Sequence, residues 1–571
     1  MRIKIIRLIS LGLLGLLACE LAYLQVVRHR YFFDLSRNNR IRVVPLEGKR
    51  GRVLDRNGKI IADNRLSFCA SVIPQEVRNE KELFSFLGQV FGEDPQVLFR
   101  RYQAGKFAPF APVVIQEDLS EEIAVKLEEN KFRFPGLLIE ESFRRFYPFS
   151  ETFAHVLGYV GKADLLDLEK MKEYGYTPLS LVGKSGVEEY YNQFLRGKPG
   201  GLQIEVNSRG QQVRLLGLRS PAGGEDVTLT LDHRLQTMSA DLLAGKNGAI
   251  IVMDLSDGGI LSMVSFPGFD PNMFSRRTDG NETADVFSNP DSPLLNRAVN
   301  GQYPPGSIFK IVVSLAGLES NKITPATSFD CPGFYAVGRQ QFRCAHTHGV
   351  QNLIEGIAHS CNVYFFHLGL MVGAAEMDRY ARLLGLGHPT YFDLPHEAGG
   401  TVPSPLQRKV SRNQGWFKGD TLNLSIGQGD VLATPLQLVR LMAIVANEGR
   451  DVRPHVVLSI GAQRVDQHPL RHTVQFKAKS FADVLRGLRA TVTDEEGTAH
   501  ALDIKGLRVA GKTGTAQTSG DREHHAWFVG YAESETRRIA FCIFLEYGGS
   551  SANAVDVAKD LLVRMRQEDL L

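Results

Sequence analysis

Between Leu8 and Val27 the chain reads LISLGLLGLLACELAYLQVV, a run of 20 residues in which Glu20 is the only charge. At 1.5 Å per residue a helix of that length covers about 30 Å, the hydrocarbon thickness of a bilayer. Arg2, Lys4 and Arg7 precede the run, and the positive-inside tendency places the N-terminus in the cytoplasm. Arg28 and Arg30 follow it and pull the other way. No second span is readable in the body of the chain, which is therefore expected outside the cytoplasmic membrane. The length of the run, with few small residues placed for cleavage, favours an uncleaved anchor over a signal peptide. Glu20 either faces a partner helix or snorkels to the outer interface.

The rest has the composition of an ordinary globular protein. Sixty-six Lys and Arg against 63 Asp and Glu leave +3 over 571 residues, which argues against a broad basic face for nucleic acid. With 43% hydrophobic and 23% charged residues a charge-driven disordered chain is excluded. Six cysteines are too few for a disulfide scaffold. The length allows two or more cores.

Asn57-Gly58 between alternating apolar positions signals a β-hairpin, and 118–129, 164–172 and 186–195 read as helical. Residues 28–50 resemble a stalk. The cluster Ser220-Pro221-Ala222-Gly223-Gly224 suits a linker. The expected organisation is a cytoplasmic 1–7, an anchor at 8–27, a pedestal domain at 28–220 and a chemical domain at 221–571. In the last, GAIIVMD (248–254) and GILSMVS (259–265) read as a strand pair, with further strands over 509–515, 526–532 and 539–546. A mainly helical block, 307–445, lies between them. Strand pairs at both ends with helices between imply an α/β (α+β) domain, one antiparallel sheet packed with a helical subdomain.

Three short motifs carry chemistry. In Tyr303-Pro304-Pro305-Gly306-Ser307-Ile308-Phe309-Lys310, Ser307 opens an apolar helical run, with Lys310 one turn on. The positive end of the helix dipole favours charge developing on the serine oxygen, and apolar neighbours depress the lysine enough for it to accept a proton. Ser360-Cys361-Asn362 offers a hydroxyl and an amide just ahead of Val363-Tyr364-Phe365-Phe366. Lys512-Thr513-Gly514-Thr515 ends an apolar strand in a cation, hydroxyls and a glycine that admits close approach of another chain. Each alone also reads as a capped helix, a turn or a sheet-edge lysine. The ordered set Ser-x-x-Lys, Ser-x-Asn, Lys-Thr-Gly is far more specific.

On those residues the chain resembles the class B penicillin-binding transpeptidases, the acyl-serine enzymes of peptidoglycan cross-linking. The resemblance extends to the Arg50-Gly51 to Gly58 segment, Ser425-Ile426-Gly427-Gln428-Gly429 and Thr434-Pro435-Leu436-Gln437. Tyr303 to Ser307, Leu424 to Gly429 and His525-Ala526-Trp527-Phe528 look most like the elongation branch, penicillin-binding protein 2, with the septal division branch as the alternative. The resemblance implies a serine β-lactamase-like fold above a dimerisation-type pedestal, and peptidoglycan stem peptides and β-lactams as ligands. It implies Ser307 as nucleophile and Lys310 as general base, with Ser360, Asn362 and Lys512 moving protons and positioning substrate. Thr513, Gly514 and Thr515 would bind substrate, the two threonines receiving its carboxylate, and the N–H groups of Ser307 and Thr515 would form the oxyanion hole. It also implies a RodA-type polytopic glycosyltransferase and the elongation machinery as partners, and no nucleic acid. A β-lactamase or D,D-carboxypeptidase and a catalytically silent β-lactam-binding scaffold are the rival readings, disfavoured by the anchor, the pedestal and the intact motifs.

Cys331-x12-Cys344-x3-His348-x12-Cys361 offers three thiolates and an imidazole, a closed tetrahedral set for structural zinc. The resemblance points to the same four positions, His348 rather than His346. A Cys331–Cys344 disulfide or buried free thiols are the alternatives.

Overall fold

The structure, a computed structural model, describes residues 2–31, 41–46, 48–106, 112–170, 180–206, 212–275, 281–465, 470–518 and 520–571. Parts of the stalk (32–40 and 47) and the end of the helix expected over 164–172 lie outside them.

Arg2–Ala22 is α-helical and runs on through a wider turn at Tyr23–Val27. Ile5–Val27 is the one helix among the described residues long and apolar enough to cross a membrane, and its side chains are exposed.

The folded body divides into two interleaved units. One comprises Met1–Arg50, Arg65–Arg144 and Arg196–Gly224; the other comprises Gly51–Asn64, Arg145–Leu195 and Glu225–Leu571. The division thus follows spatial contacts rather than one cut near 220. In the first unit Ile41–Leu46 pairs with Gly200–Val206, which pairs with Gln212–Arg219, all antiparallel. Its core joins Leu83, Leu87, Leu98, Tyr102, Ile115 and Leu127. Two of its helices, Glu80–Phe91 and Pro95–Gly105, are N-capped by Asn79 and Asp94, whose side chains accept from Glu82 and Gln96 N–H groups. The 220–224 segment, expected as a linker, is pinned: Lys198 and Ala222 exchange 3.0 Å backbone hydrogen bonds, and Gly224 N–H donates to Lys49 O at 2.9 Å.

In the second unit the Asn57-Gly58 hairpin forms as expected. Asp55 Oδ1 accepts from the Asn57 and Lys59 N–H groups at 2.8 Å, and Gly58 takes φ +82°. Its first strand, Val53–Leu54, runs parallel to Val227–Leu229.

The central sheet has five antiparallel strands: β1 (Gly248–Asp254), β2 (Ile260–Phe266), β3 (Arg508–Ala516), β4 (His525–Glu533) and β5 (Arg538–Leu545), in the order β2-β1-β5-β4-β3. Side chains alternate across it. Ala249, Ile251 and Met253 enter one core, while Ile250 and Val252 enter another under α1 (His233–Leu243) and a C-terminal helix, Ser551–Gln567. Both faces are covered, which is why β1 is apolar throughout instead of alternating.

The helical block contains α2 (Lys310–Glu319), α3 (Leu353–Ala358), α4 (Asn362–Val372) and α5 (Pro435–Ala446), followed by α6 (Ala478–Thr493). It also holds two small antiparallel pairs that the helical expectation did not include, Phe329–Cys331 with Gly349–Gln351 and Phe334–Val337 with Gln340–Arg343. The second turns at Gly338, at φ +60°, and its opposed Tyr335 and Phe342 pack toward Phe366.

Within this unit Arg440 on α5 forms a buried two-pronged ion pair with Asp451, Nε–Oδ1 2.9 Å and Nη2–Oδ2 2.5 Å. Removing one partner strands a charge in the core. Asp451→Ala is therefore expected to lower unfolding free energy by about 3–5 kcal/mol, measured by denaturant titration against wild type.

Candidate active site

The turn carrying Ser307 is set by backbone contacts. Tyr303 and Ala433 exchange hydrogen bonds of 3.0 and 2.9 Å, and Gly306 N–H donates to Gly427 O at 3.0 Å. Gly306 sits at φ +54° in a short 3-10 turn, Gly306–Phe309, that feeds directly into α2. Ser307 is thus at the entry of the helix, half-buried, and among the described residues its hydroxyl has no hydrogen-bond partner. Three glycines let this turn close. A Cβ on Gly306 would meet Thr515 O at 2.7 Å, on Gly427 it would meet Gly306 O at 2.0 Å, and on Gly514 it would meet Pro305 O at 2.9 Å. The close approach read from Gly514 is therefore, on this face, the approach of the chain's own serine turn.

Lys310 is fully buried. Its Nζ donates to Ser360 O at 2.7 Å, Asn362 Oδ1 at 2.7 Å and Ser360 Oγ at 3.1 Å, and lies 5.4 Å from the Phe365 ring centroid. Burial pulls the amine down to about 8, against a smaller upward effect of Cys344 and Cys361. Ser360 is in the left-handed region at φ +55°, an uncommon conformation for a residue with a side chain. Asn362 opens α4, and its Nδ2 donates to Arg343 O at 3.2 Å. Two of the three motifs thus meet at one nitrogen.

The third motif lies on β3, at the edge of the sheet. Lys512 is fully buried, with Nζ 3.3 Å from Thr513 O and 3.4 Å from Thr513 Oγ1. Burial first, then the nearby charge of Lys310, hold its amine well below the ordinary lysine range. Mutual repulsion disfavours protonating both amines together. Thr513 Oγ1 is 2.8 Å from Thr498 Oγ1, while Thr515 is exposed and its carbonyl accepts from Gln428 Nε2 at 3.2 Å.

Cys331, Cys344, His348 and Cys361 converge, with all four donor atoms within 4.8 Å of one another. The separations are 3.6 Å (Cys331 Sγ–His348 Nδ1), 3.5 Å (Cys344 Sγ–His348 Nδ1) and 4.0 Å (Cys344 Sγ–Cys361 Sγ). Ligand bonds of about 2.3 Å to sulfur and about 2.0 Å to nitrogen give tetrahedral edges of about 3.5–3.8 Å, so the donor set fits zinc. All six cysteines of the structure are free thiols. The hydrogen bond from Cys361 draws the Cys344 thiol down, and the same contact, with burial, raises Cys361. Cys344 Sγ also accepts from Asn362 N–H at 3.1 Å, and Cys361 caps α4 by accepting from Tyr364 N–H at 3.5 Å.

Sequence reasoning missed Thr498, the Arg343 carbonyl and the specific contacts of Gly427 and Gln428. The last two stand in Ser425-Ile426-Gly427-Gln428-Gly429, marked only as a family-like run; Thr498 has no local signal at all.

A serine turn, two buried lysines and a Ser-x-Asn loop arranged against a sheet edge define an acyl-transfer class of site. Residues 248–563 match the penicillin-binding protein transpeptidase domain, and residues 45–229 match the penicillin-binding protein dimerisation domain. The chain belongs to the penicillin-binding protein family that joins these two domains, on its penicillin-binding protein 2 branch. It is 34% identical over 567 residues to the peptidoglycan D,D-transpeptidase MrdA of Acinetobacter baumannii, covering 95% of this chain and 84% of that protein. With MrdA of Escherichia coli K12 it shares 30% identity, covering 96% and 91%. Its fold is similar to penicillin-binding protein 2 of Helicobacter pylori in complex with MreC, with a TM-score of 0.84, 30% identity and coverage of 93% and 100%. Pseudomonas aeruginosa penicillin-binding protein 2 in complex with WCK 5153 gives a TM-score of 0.71, 30% identity and coverage of 91% and 96%.

Gly514→Ala forces Pro305, and with it the serine turn, away from β3. The contact is relieved by a shift of a few tenths of an ångström; since a full 1 Å misplacement costs roughly 100-fold in rate, labelling of this variant by a fluorescent penicillin is expected to slow by less than that, read as a time course on a gel.

Proposed function

We propose that the protein is a peptidoglycan D,D-transpeptidase of cell elongation that works through an acyl-serine intermediate. It would be held in the cytoplasmic membrane by Ile5–Val27, with its N-terminus inside and the folded body outside. The observation that carries the mechanism is the Lys310 amine, buried, shifted to about 8 and fixed among Ser360 O, Ser360 Oγ and Asn362 Oδ1. A neutral amine in that place is a base one helical turn from Ser307.

In the first half-reaction the Ser307 proton passes to Lys310 Nζ as Ser307 Oγ attacks the carbonyl of the penultimate D-alanine. The N–H groups of Ser307 and Thr515 stabilise the oxyanion. The C–N bond then breaks as the leaving D-alanine amine takes the proton held on Lys310, passed by way of the Ser360 hydroxyl 3.1 Å away, which leaves Lys310 neutral again; Lys512 assists that transfer by its charge. Thr513 and Thr515 receive the terminal carboxylate, and the free edge of β3 at Gly514 lies alongside the peptide. In the second half-reaction an acceptor amine attacks the ester and gives its proton to Lys310, and the C–Oγ bond breaks as Lys310 returns that proton to Ser307 Oγ. β-Lactams acylate Ser307 as mimics of the first step. The elongation assignment is supported by the MrdA and penicillin-binding protein 2 relatives, which favour it over the septal reading. The complex with MreC supports elongation-machinery partners, and a RodA-type glycosyltransferase contacted through the anchor and pedestal is proposed with them.

We further propose that Cys331, Cys344, His348 and Cys361 hold a structural zinc ion, which would clamp the Ser-x-Asn loop and take no part in proton transfer. About one zinc per chain is expected on elemental analysis of purified protein. Negligible zinc, with a disulfide recovered between two of these cysteines, would sink that assignment.

Acylation is tested by intact mass after brief exposure to benzylpenicillin. One persistent penicilloyl adduct is expected, absent in Ser307→Ala; hydrolysed drug without adduct would instead indicate a β-lactamase, and intact drug a silent scaffold. Because the base is the neutral amine, the acylation rate is expected to rise with pH and reach half its plateau near about 8. A rate that falls across that interval excludes Lys310 as the base.

A further inference from the structure

Thr498 stands just beyond the end of α6, in a loop fixed by its backbone. Gly497 N–H donates to Asp494 O at 3.0 Å, Thr498 N–H to Ala358 O at 3.3 Å and Ala499 N–H to Thr491 O at 3.0 Å. Gly497 lies so close to the helix end that a Cβ there would run into Thr491 O. The Thr498 side chain is exposed, yet its Oγ1 is 2.8 Å from Oγ1 of Thr513, a residue only 3% exposed. An exposed hydroxyl could bond to water instead, so this contact is not one that burial imposes.

Each hydroxyl has one proton to give. That of Thr498 has two acceptors in reach, Thr513 Oγ1 at 2.8 Å and Ala358 O at 3.5 Å. Hydroxyl donors favour about 2.7–2.8 Å, so the first takes it. Thr513 Oγ1 is then an acceptor from Thr498, with Lys512 Nζ 3.4 Å away, and its own proton is left for a third partner. A carboxylate is the strongest claimant, because bonds to an ionised acceptor are about twice as strong as neutral ones. We infer that Thr498 is a positioning residue: by donating to Thr513 it turns the Thr513 hydroxyl proton toward the carboxylate of the substrate. The inference rests on the acyl-serine reading above, in which Thr513 receives that carboxylate. Without the donor the Thr513 hydroxyl is free among about three staggered directions, and the polarisation that one hydroxyl lends the next is lost. A threonine that merely closed the loop would act through its backbone N–H and would not tell an acid from its ester.

The test compares benzylpenicillin with its methyl ester, measuring acylation rate constant over dissociation constant by stopped-flow on the full-length protein in detergent. Thr498→Val keeps the side-chain shape and the N–H. It is expected to lower this ratio about 3- to 10-fold for the acid and less than about 2-fold for the ester. Thr498→Ser is expected to restore the acid to within about 2-fold. In a Thr513→Val background, adding Thr498→Val should cost nothing further, because the hydroxyl it orients is already gone. Equal slowing of acid and ester, failure of serine to restore, or losses that multiply in the double variant would overturn the inference. If Thr498→Val does not fold, Thr498→Ala carries the same comparison. Absence of any adduct on wild-type protein refutes the acyl-serine reading, and the inference with it. An acylated wild type that prefers the acid, with Thr498 variants that keep the full preference, refutes the inference alone.

Discussion

The Lys310 amine is fully buried, and that constraint orders the rest of the site. An amine on a helix interior face can stay ionisable only if oxygens replace its hydration shell. Here they come from Ser360 and Asn362, fifty and fifty-two residues on. To present a carbonyl, a hydroxyl and an amide to one nitrogen, the chain between α3 and α4 must turn within three residues. The turn is made at Ser360 in the left-handed region, at a steric cost of order 1–3 kcal/mol that the surrounding structure must offset. Cys361 then caps α4, so the same few residues end one helix, begin the next and surround the Lys310 amine.

A second constraint is steric. The serine turn, the Gly427 loop and β3 approach so closely that backbone oxygens occupy the places where side chains would begin. Gly306 and Gly427 combine this with positive φ, so at both positions a Cβ is excluded twice over. The gain is electrostatic. On the acyl-serine mechanism proposed above, this approach of the turn and β3 without intervening side chains would let the Ser307 and Thr515 N–H groups stabilise an oxyanion.

Much of this was legible in sequence because it is local or periodic. Strands covered on both faces are apolar throughout, Asn57-Gly58 declares its hairpin, and the spacing from Ser307 to Lys310 is one helical turn. The Cys spacing, with the family resemblance that chose His348 over His346, named the four donors that the fold brings together. The interleaving of the two units was not legible, since nothing local tells Gly51–Asn64 that it will pair with Val227–Leu229. Thr498 was invisible for the same reason: an isolated threonine after a helix acquires meaning only when β3 places Thr513 beside it. Gly514 was read as admitting the close approach of another chain, and on its Cβ face the structure brings Pro305 there, a contact between segments more than two hundred residues apart. The Phe334–Val337 and Gln340–Arg343 pair was hidden inside a helical block because its two strands are too short to establish a period of two.

The position of the sulfur and imidazole donors bears on what they do. Cys331 and Cys344 flank the short hairpin, and Cys344 N–H donates to Gly333 O at 2.8 Å, so the hairpin base is already closed by backbone. A disulfide between those two cysteines would reinforce a closure that exists and leave Cys361 unlinked. Joining all four donors does something the backbone cannot. It ties the hairpin to the residue between Ser360 and Asn362, and it sets Cys344 Sγ to receive the Asn362 N–H while Arg343 O receives its amide. The same asparagine is thereby held at its backbone and at its side chain from a single strand end, which leaves Oδ1 one direction to face, toward Lys310. On this geometry the cluster is better placed to orient Asn362 than to add stability to the fold at large, in keeping with the structural zinc proposed for it.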